Sequence, residues 1–175
     1  MRMTAIAAMS CAFLINCASV QPKPEPKPAP PPAPAKLAAG APQGWLIQEA
    51  QTADGLEAFK LMRLNEQGMV VAEAAVIRQP AKGFDVAGTL DQVAEAVIKA
   101  GGVVIPGTGG GASVDRVTYS LHLQQQNLDL KGLVLFKRLA DRPDELVAVT
   151  AQWLADEDAT LRPEIDLIIA AATIK

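Results

Sequence analysis

The sequence predicts an α/β domain of the α+β type, in which an antiparallel β-sheet is flanked by helices. Three observations carry that expectation. Residues 117–124 alternate strictly: Val117, Tyr119, Leu121 and Leu123 are apolar or aromatic, while Thr118, Ser120, His122 and Gln124 are polar. That period of two marks a strand with one buried face. Two further apolar runs, 128–139 and 145–154, follow across the polar turns 125–127 and 141–144, the order of an antiparallel meander. Residues 89–100, and a second stretch from about Leu161, repeat apolar residues at helical spacing and need a flat surface to pack against.

The elements in chain order support this reading. The domain opens around Pro42-Gln43-Gly44-Trp45. Runs 56–64 and 69–78 are separated by Asn65-Glu66-Gln67-Gly68, a polar loop ending in glycine that reads as a hairpin. Met69-Val70-Val71-Ala72 and Val76-Ile77 suggest that the second of these strands is central. In 89–100, Thr89 is the expected N-cap, with Gln92 completing a capping box. Leu90, Val93, Ala94, Val97 and Ile98 form its apolar face, and Gly101-Gly102 supplies the left-handed stop. In 145–154, Val147, Val149, Ala151 and Trp153 share one face. The last helix takes Thr160 as cap and Pro163 in its first turn, where a missing amide is tolerated. Its buried stripe is Leu161, Ile165, Ile168, Ile169 and Ala172. No internal repeat is visible.

Ahead of the domain, the sequence is organised by a junction. Arg2 supplies a positive start, and residues 4–15 are uncharged and mainly apolar. A run of about a dozen residues suits a secretory signal and is too short for a bilayer, which needs roughly 20. Leu14-Ile15-Asn16-Cys17 resembles a bacterial lipobox, which makes Cys17 the expected lipid-attachment residue. Asn16 departs from the usual Gly, Ala or Ser before the cysteine. Ordinary signal-peptidase cleavage after Ala18 or Ser19 is the alternative. Those two residues stand where an inner-membrane retention signal would place Asp, so an outer membrane is favoured if two are present. Residues 21–35 carry proline at nearly every second position, which excludes helix and central strand. They are expected to form a polyproline II spacer of about 45 Å. The expected organisation is a signal peptide at 1–16, a proline-rich tether at 17–41 and a folded domain at 42–175.

Composition narrows the function. The chain has 175 residues and a formal net charge of -3. Removing 1–16 takes away one basic residue, Arg2, and leaves 15 basic against 19 acidic. A mildly acidic chain without a basic run has no electrostatic footprint for nucleic acid. Both cysteines, Cys11 and Cys17, precede the domain, so it has no disulfide framework and no cysteine zinc site. Four Phe, two Trp and one Tyr offer few stacking platforms.

Catalytic signals are sparse. Gly107-Thr108-Gly109-Gly110-Gly111-Ala112-Ser113 has the composition of a phosphate-cradling loop. It leads into a strand, however, and lacks the Lys-Ser/Thr pair of a P-loop. The single histidine, His122, lies on the face opposite Tyr119 and Leu121. Ser113, Asp115 and His122 spell a hydrolase triad without the Gly-x-Ser-x-Gly context of a nucleophile elbow. Asp156-Glu157-Asp158 stands just before the last helix, where negative charge is favourable to the helix dipole. No catalytic residue, metal or cofactor is expected.

The order strand–strand–helix–strands–helix, opened by Pro42-Gln43-Gly44-Trp45 and closed by Thr160-Leu161-Arg162-Pro163, resembles the PsbP-like domain and its bacterial DcrB-like relatives. The resemblance covers 42–175 and implies an α/β/α sandwich. It also implies a binding, assembly or chaperone module with no shared catalytic motif. The sequence therefore points to a non-enzymatic, lipid-anchored envelope protein that binds or helps assemble an envelope partner. A secreted periplasmic hydrolase or small-ligand-binding protein is the alternative.

Overall fold

The computed structural model describes residues 36–105 and 114–175. The signal peptide, Cys17, residues 17–35 of the tether and the glycine-rich segment 107–113 lie outside them. The described elements are β1 (Leu37–Ala38), β2 (Trp45–Gln51), β3 (Glu57–Leu64), β4 (Val70–Pro80) and α1 (Val86–Lys99). They continue with β5 (Val103–Ile105), β6 (Val114–Leu123), β7 (Leu128–Leu139) and β8 (Arg142–Leu154). A 3-10 turn (Ala155–Glu157) then leads into α2 (Asp158–Ala171) and β9 (Thr173–Ile174). Seven strands form one antiparallel sheet in the order β2-β3-β4-β8-β7-β6-β5, and β1 pairs separately with β9.

The two helices cover opposite faces, as an α/β/α sandwich requires. Alternation along the central strands explains why. Leu133, Leu135, Val147, Val149, Ala151 and Trp153 point to one side and meet Leu161, Ile165 and Ile168 of α2. Val134, Phe136, Leu146 and Ala148 point to the other side and meet Val86, Val93 and Val97 of α1. Strands buried on both faces read as near-continuous apolar runs rather than clean alternations.

The hairpin at 65–68 forms as expected. Asn65 Oδ1 accepts from the amides of Gln67 (3.0 Å) and Met69 (2.9 Å), and Gly68 takes φ +74°. The stop of α1 also forms, with Gly101 at φ +82° and its amide on the Ile98 carbonyl.

Three boundaries and one helix face differ from expectation. Helix α1 starts at Val86 because Asp85, not Thr89, is its cap. The Asp85 carboxylate accepts from the Gly88 amide at 3.0 Å, and Thr89 lies inside the first turn, donating its hydroxyl to the Asp85 carbonyl at 2.7 Å. The apolar line of α1 runs 86, 90, 93, 97, so Ile98 turns about 100° away from it and is 62% exposed. Strand β8 starts at Arg142, and the turn shrinks to Ala140-Asp141. A register shift at Arg138/Leu139 accommodates Pro143, whose missing amide suits an irregular position. Helix α2 starts at Asp158 rather than near Leu161, so Pro163 falls beyond its first turn and Thr160 is not its cap.

Two elements carry no strong local signal. Strand β2 is mostly exposed, and it joins the sheet by pairing along β3 from Trp45↔Arg63 to Gln51↔Glu57. Strands β1 and β9 are two residues each. They are closed by reciprocal backbone bonds between Lys36 and Lys175 at 2.8 and 2.9 Å. Leu37 is buried with Ile168, Ala172 and Ile174, so the fold takes in residues from Lys36, inside the stretch assigned to the tether.

The start of α2 is fixed by a polar cluster. Asp158 accepts from Trp153 Nε1 at 2.7 Å and from Lys131 Nζ at 2.5 Å. Burial pushes its carboxyl up, but those hydrogen bonds and the charges of Lys131 and Arg162 outweigh burial and hold its pKa below the ordinary value. A depressed folded value stabilises above the unfolded pKa of about 4, and the contribution is lost as pH falls through the folded value. Wild type should therefore melt above Asp158→Asn at neutral pH, with the gap in Tm closing below about pH 4. Thermal melts of both proteins from pH 7 to pH 2.5 check this.

Candidate functional site

A seven-stranded sheet is about 30 Å wide at roughly 4.8 Å per strand, whereas a helix is about 10 Å across. Helix α1 cannot cover that face. It packs over β5, β6 and β7, leaving the half made by β2, β3, β4 and β8 beneath its flank. A cavity of ≈ 290 Å³ lies there. Its floor is built from small side chains that alternation brings to this face: Ala50, Ala58, Ala75, Ala148 and Thr150. Val93 and Val97 of α1 form one wall, and the 52–54 turn forms the rim.

One row of paired residues crosses this face and supplies the polar groups. The register runs Met62↔Glu73, Glu73↔Gln152, Gln152↔Gly132 and Gly132↔Tyr119. Tyr119 lies flat over Gly132 and reaches the Gln152 amide, whose Nε2 donates to the phenol oxygen at 2.8 Å. A Cβ on Gly132 would stand 2.3 Å from the Tyr119 ring, so only glycine admits it. Glycine weakens a strand interior unless something approaches closely there, and Tyr119 is what approaches. Burial raises the Tyr119 pKa, partly offset by the Gln152 hydrogen bond, so the group is a neutral phenol at physiological pH. Glu73 is the buried charged residue of the core, 4% exposed, and Lys60 Nζ stands 3.8 Å from its carboxylate. The cavity is thus apolar over most of its wall, with Lys60, Glu73, Gln152 and Tyr119 gathered on one side.

The residues singled out from the sequence do not meet there. His122 does hydrogen-bond a carboxylate, Asp129 Oδ1 at 2.8 Å, its cross-strand partner. Both side chains are open to solvent, 48% and 73% exposed, and neither lines the cavity. Asp115 faces Arg138 at 3.7 Å instead. It is seven residues from His122 along one strand, about 23 Å, so these two letters of the triad stay apart. Ser113 and the rest of the glycine-rich loop lie outside the described residues, as does Cys17. Asp158 is engaged by Lys131 and Trp153, and Asp156 and Glu157 form the 3-10 turn before α2. Trp45, at the opening of the domain, is buried on the α2 face, where its indole donates to Glu164 at 2.7 Å. No helix among the described residues is long and apolar enough to cross a membrane.

No protein-family profile matches the chain, and no curated protein sequence matches it. Among solved structures it is similar to the crystal structure of LpqN, involved in cell envelope biogenesis of Mycobacterium tuberculosis. The two share 14% identity over 83% of this chain and 86% of that one, with a TM-score of 0.47.

The cavity residues were hidden in the sequence because each is unremarkable alone. Alanines at 50, 58, 75 and 148 read as filler. Their meaning comes only from a register that sets them side by side. The one available signal was Gly132, a glycine inside an otherwise strong strand, which implies a close neighbour.

Two substitutions test the Tyr119 seat. Gly132→Ala should displace the ring and destabilise the fold by about 1–3 kcal/mol, as overpacking does. Tyr119→Phe keeps the ring but removes the acceptor for Gln152, and should cost about 1 kcal/mol. Urea unfolding of both variants measures these differences.

Proposed function

We propose that this chain is a cell-envelope protein anchored by lipid on Cys17, and that its domain is a non-catalytic binding module whose ligand seat is the cavity beneath α1. The observation that carries the reading is the cavity: a mainly apolar space with two polar pairs, Lys60–Glu73 and Gln152–Tyr119, on one side. Such a space suits retention of a small molecule. Its two polar pairs, an ammonium with a carboxylate and an amide with a phenol, differ from the nucleophile–base pairing that acyl or phosphoryl transfer uses. Among the described residues the hydrolase alternative has the His122–Asp129 pair, whose side chains are open to solvent and do not line the cavity. The leader and the proline tether support the address, since they would hold the domain off a membrane surface; the outer membrane is favoured where two are present. An envelope protein that delivers or receives the ligand is the expected partner.

The address is tested by intact mass and detergent partition of the mature protein, wild type against Cys17→Ala. A mature N-terminus at Cys17 with acyl mass, partitioning into detergent, is the expected result, and Cys17→Ala should remain in the aqueous phase. A soluble wild-type product beginning at Ala18 or later would contradict the anchor.

A further inference from the structure

We infer that the cavity beneath α1 takes an uncharged amphiphile of about ten non-hydrogen atoms, with an apolar body on the alanine floor and one hydroxyl or amide end against Tyr119 and Gln152. This inference rests on the cavity's being the ligand seat, as proposed above, and adds the chemistry of what fills it. The size follows from the volume: ≈ 290 Å³, at about 30 Å³ for each water-sized group, holds roughly ten. The apolar body follows from the floor, where Ala50, Ala58, Ala75 and Ala148 offer methyl groups and Thr150 alone adds a hydroxyl.

The neutral head follows from charge. Lys60 and Glu73 form an ion pair at the polar side of the cavity, and Glu73 is almost wholly buried. The pair is already neutral as a unit. A ligand carboxylate would face the buried Glu73 with no cation of its own, and a ligand ammonium would compete with Lys60, because Asp54, the other carboxylate on the lining, is exposed on the rim; a charge left unpaired away from water is strongly disfavoured. A hydroxyl or amide meets no such cost. Tyr119 accepts its hydrogen bond from Gln152 and retains its own proton to donate. A ligand oxygen can accept that proton. Gly132 contributes by leaving room for the ring that presents it.

The experiment titrates the domain with 1-octanol, octanoate and octylamine, three eight-carbon chains of matched size that differ in head charge, by calorimetry near neutral pH. We expect 1-octanol to bind at least tenfold more tightly than either ion. Tyr119→Phe should weaken 1-octanol by about three- to tenfold, the loss of one hydrogen bond, and leave the weak ion binding unchanged. Ala75→Phe, which places a ring in the cavity, should abolish binding of all three. Equal binding of the three probes, with Tyr119→Phe silent and Ala75→Phe blocking, would overturn the head-group inference while keeping the cavity as the seat. Octanoate or octylamine binding more tightly than 1-octanol would overturn it too. No binding of any probe to folded wild type would overturn both this inference and the choice of cavity.

Discussion

The structure depends on a mismatch of widths. One helix must shield each face of a seven-stranded sheet, and no single helix is wide enough. The two helices are placed differently, α1 toward the β5–β6 end of the sheet and α2 over its middle strand β8. On the α2 face the covered region includes β3, β4, β8 and β7, and the β1–β9 pair extends the cover with Leu37, Ala172 and Ile174. Large side chains fill that space, among them Trp153, Leu61, Leu133 and Leu135, all nearly inaccessible. On the α1 face the helix lies over the β5–β6 end, and the sheet beyond its flank carries alanines. Close packing is the ordinary state of a protein interior. A space of this size next to such a floor is therefore a consequence of where α1 is placed and of which residues face it.

The placement of α1 is itself constrained. Asp85 caps it at one end, and Gly101-Gly102 turns the chain into β5 at the other, so the helix is held against the β5–β6 edge. Gly102 has no room for a side chain, since a Cβ there would stand 2.7 Å from the Ser120 carbonyl. Tyr119 then projects from β6 across Gly132 to Gln152 on β8, and separates the packed half of the face from the open half. The buried carboxylate of Glu73 completes the row. Placing a carboxylate in a core is costly unless it is paired, and Lys60 from the neighbouring strand stands near it. The polar row is thus a product of antiparallel register, with each member one strand from the next.

Most of the architecture was legible. The period of two at 117–124, the two-sided apolar runs at 128–139 and 145–154, and the hairpin at 65–68 all appear where the residues place them, because each signal is local. The misreadings arose where a nearby residue outcompeted the expected one. Asp85 caps α1 ahead of Thr89, and the Trp153–Asp158 contact starts α2 before Thr160. Strand β2, with its mostly polar and exposed residues, is a strand only because β3 offers it a partner. The β1–β9 pair joins residues more than 130 apart in sequence, which no local pattern records. The candidate site was least legible of all, because its floor is four ordinary alanines and Thr150 made neighbours by three separate strand pairings.

The space beneath α1 is open and apolar in the folded protein, and Ala75 stands on its floor. The unfolding free energy of Ala75→Leu in urea reports whether that space is there. A leucine there should occupy existing space, bury its own apolar surface and leave stability equal to wild type or higher. Overpacking of a filled core costs about 1–3 kcal/mol, and a loss of that size would show that α1 closes on the sheet and that the cavity does not exist in solution.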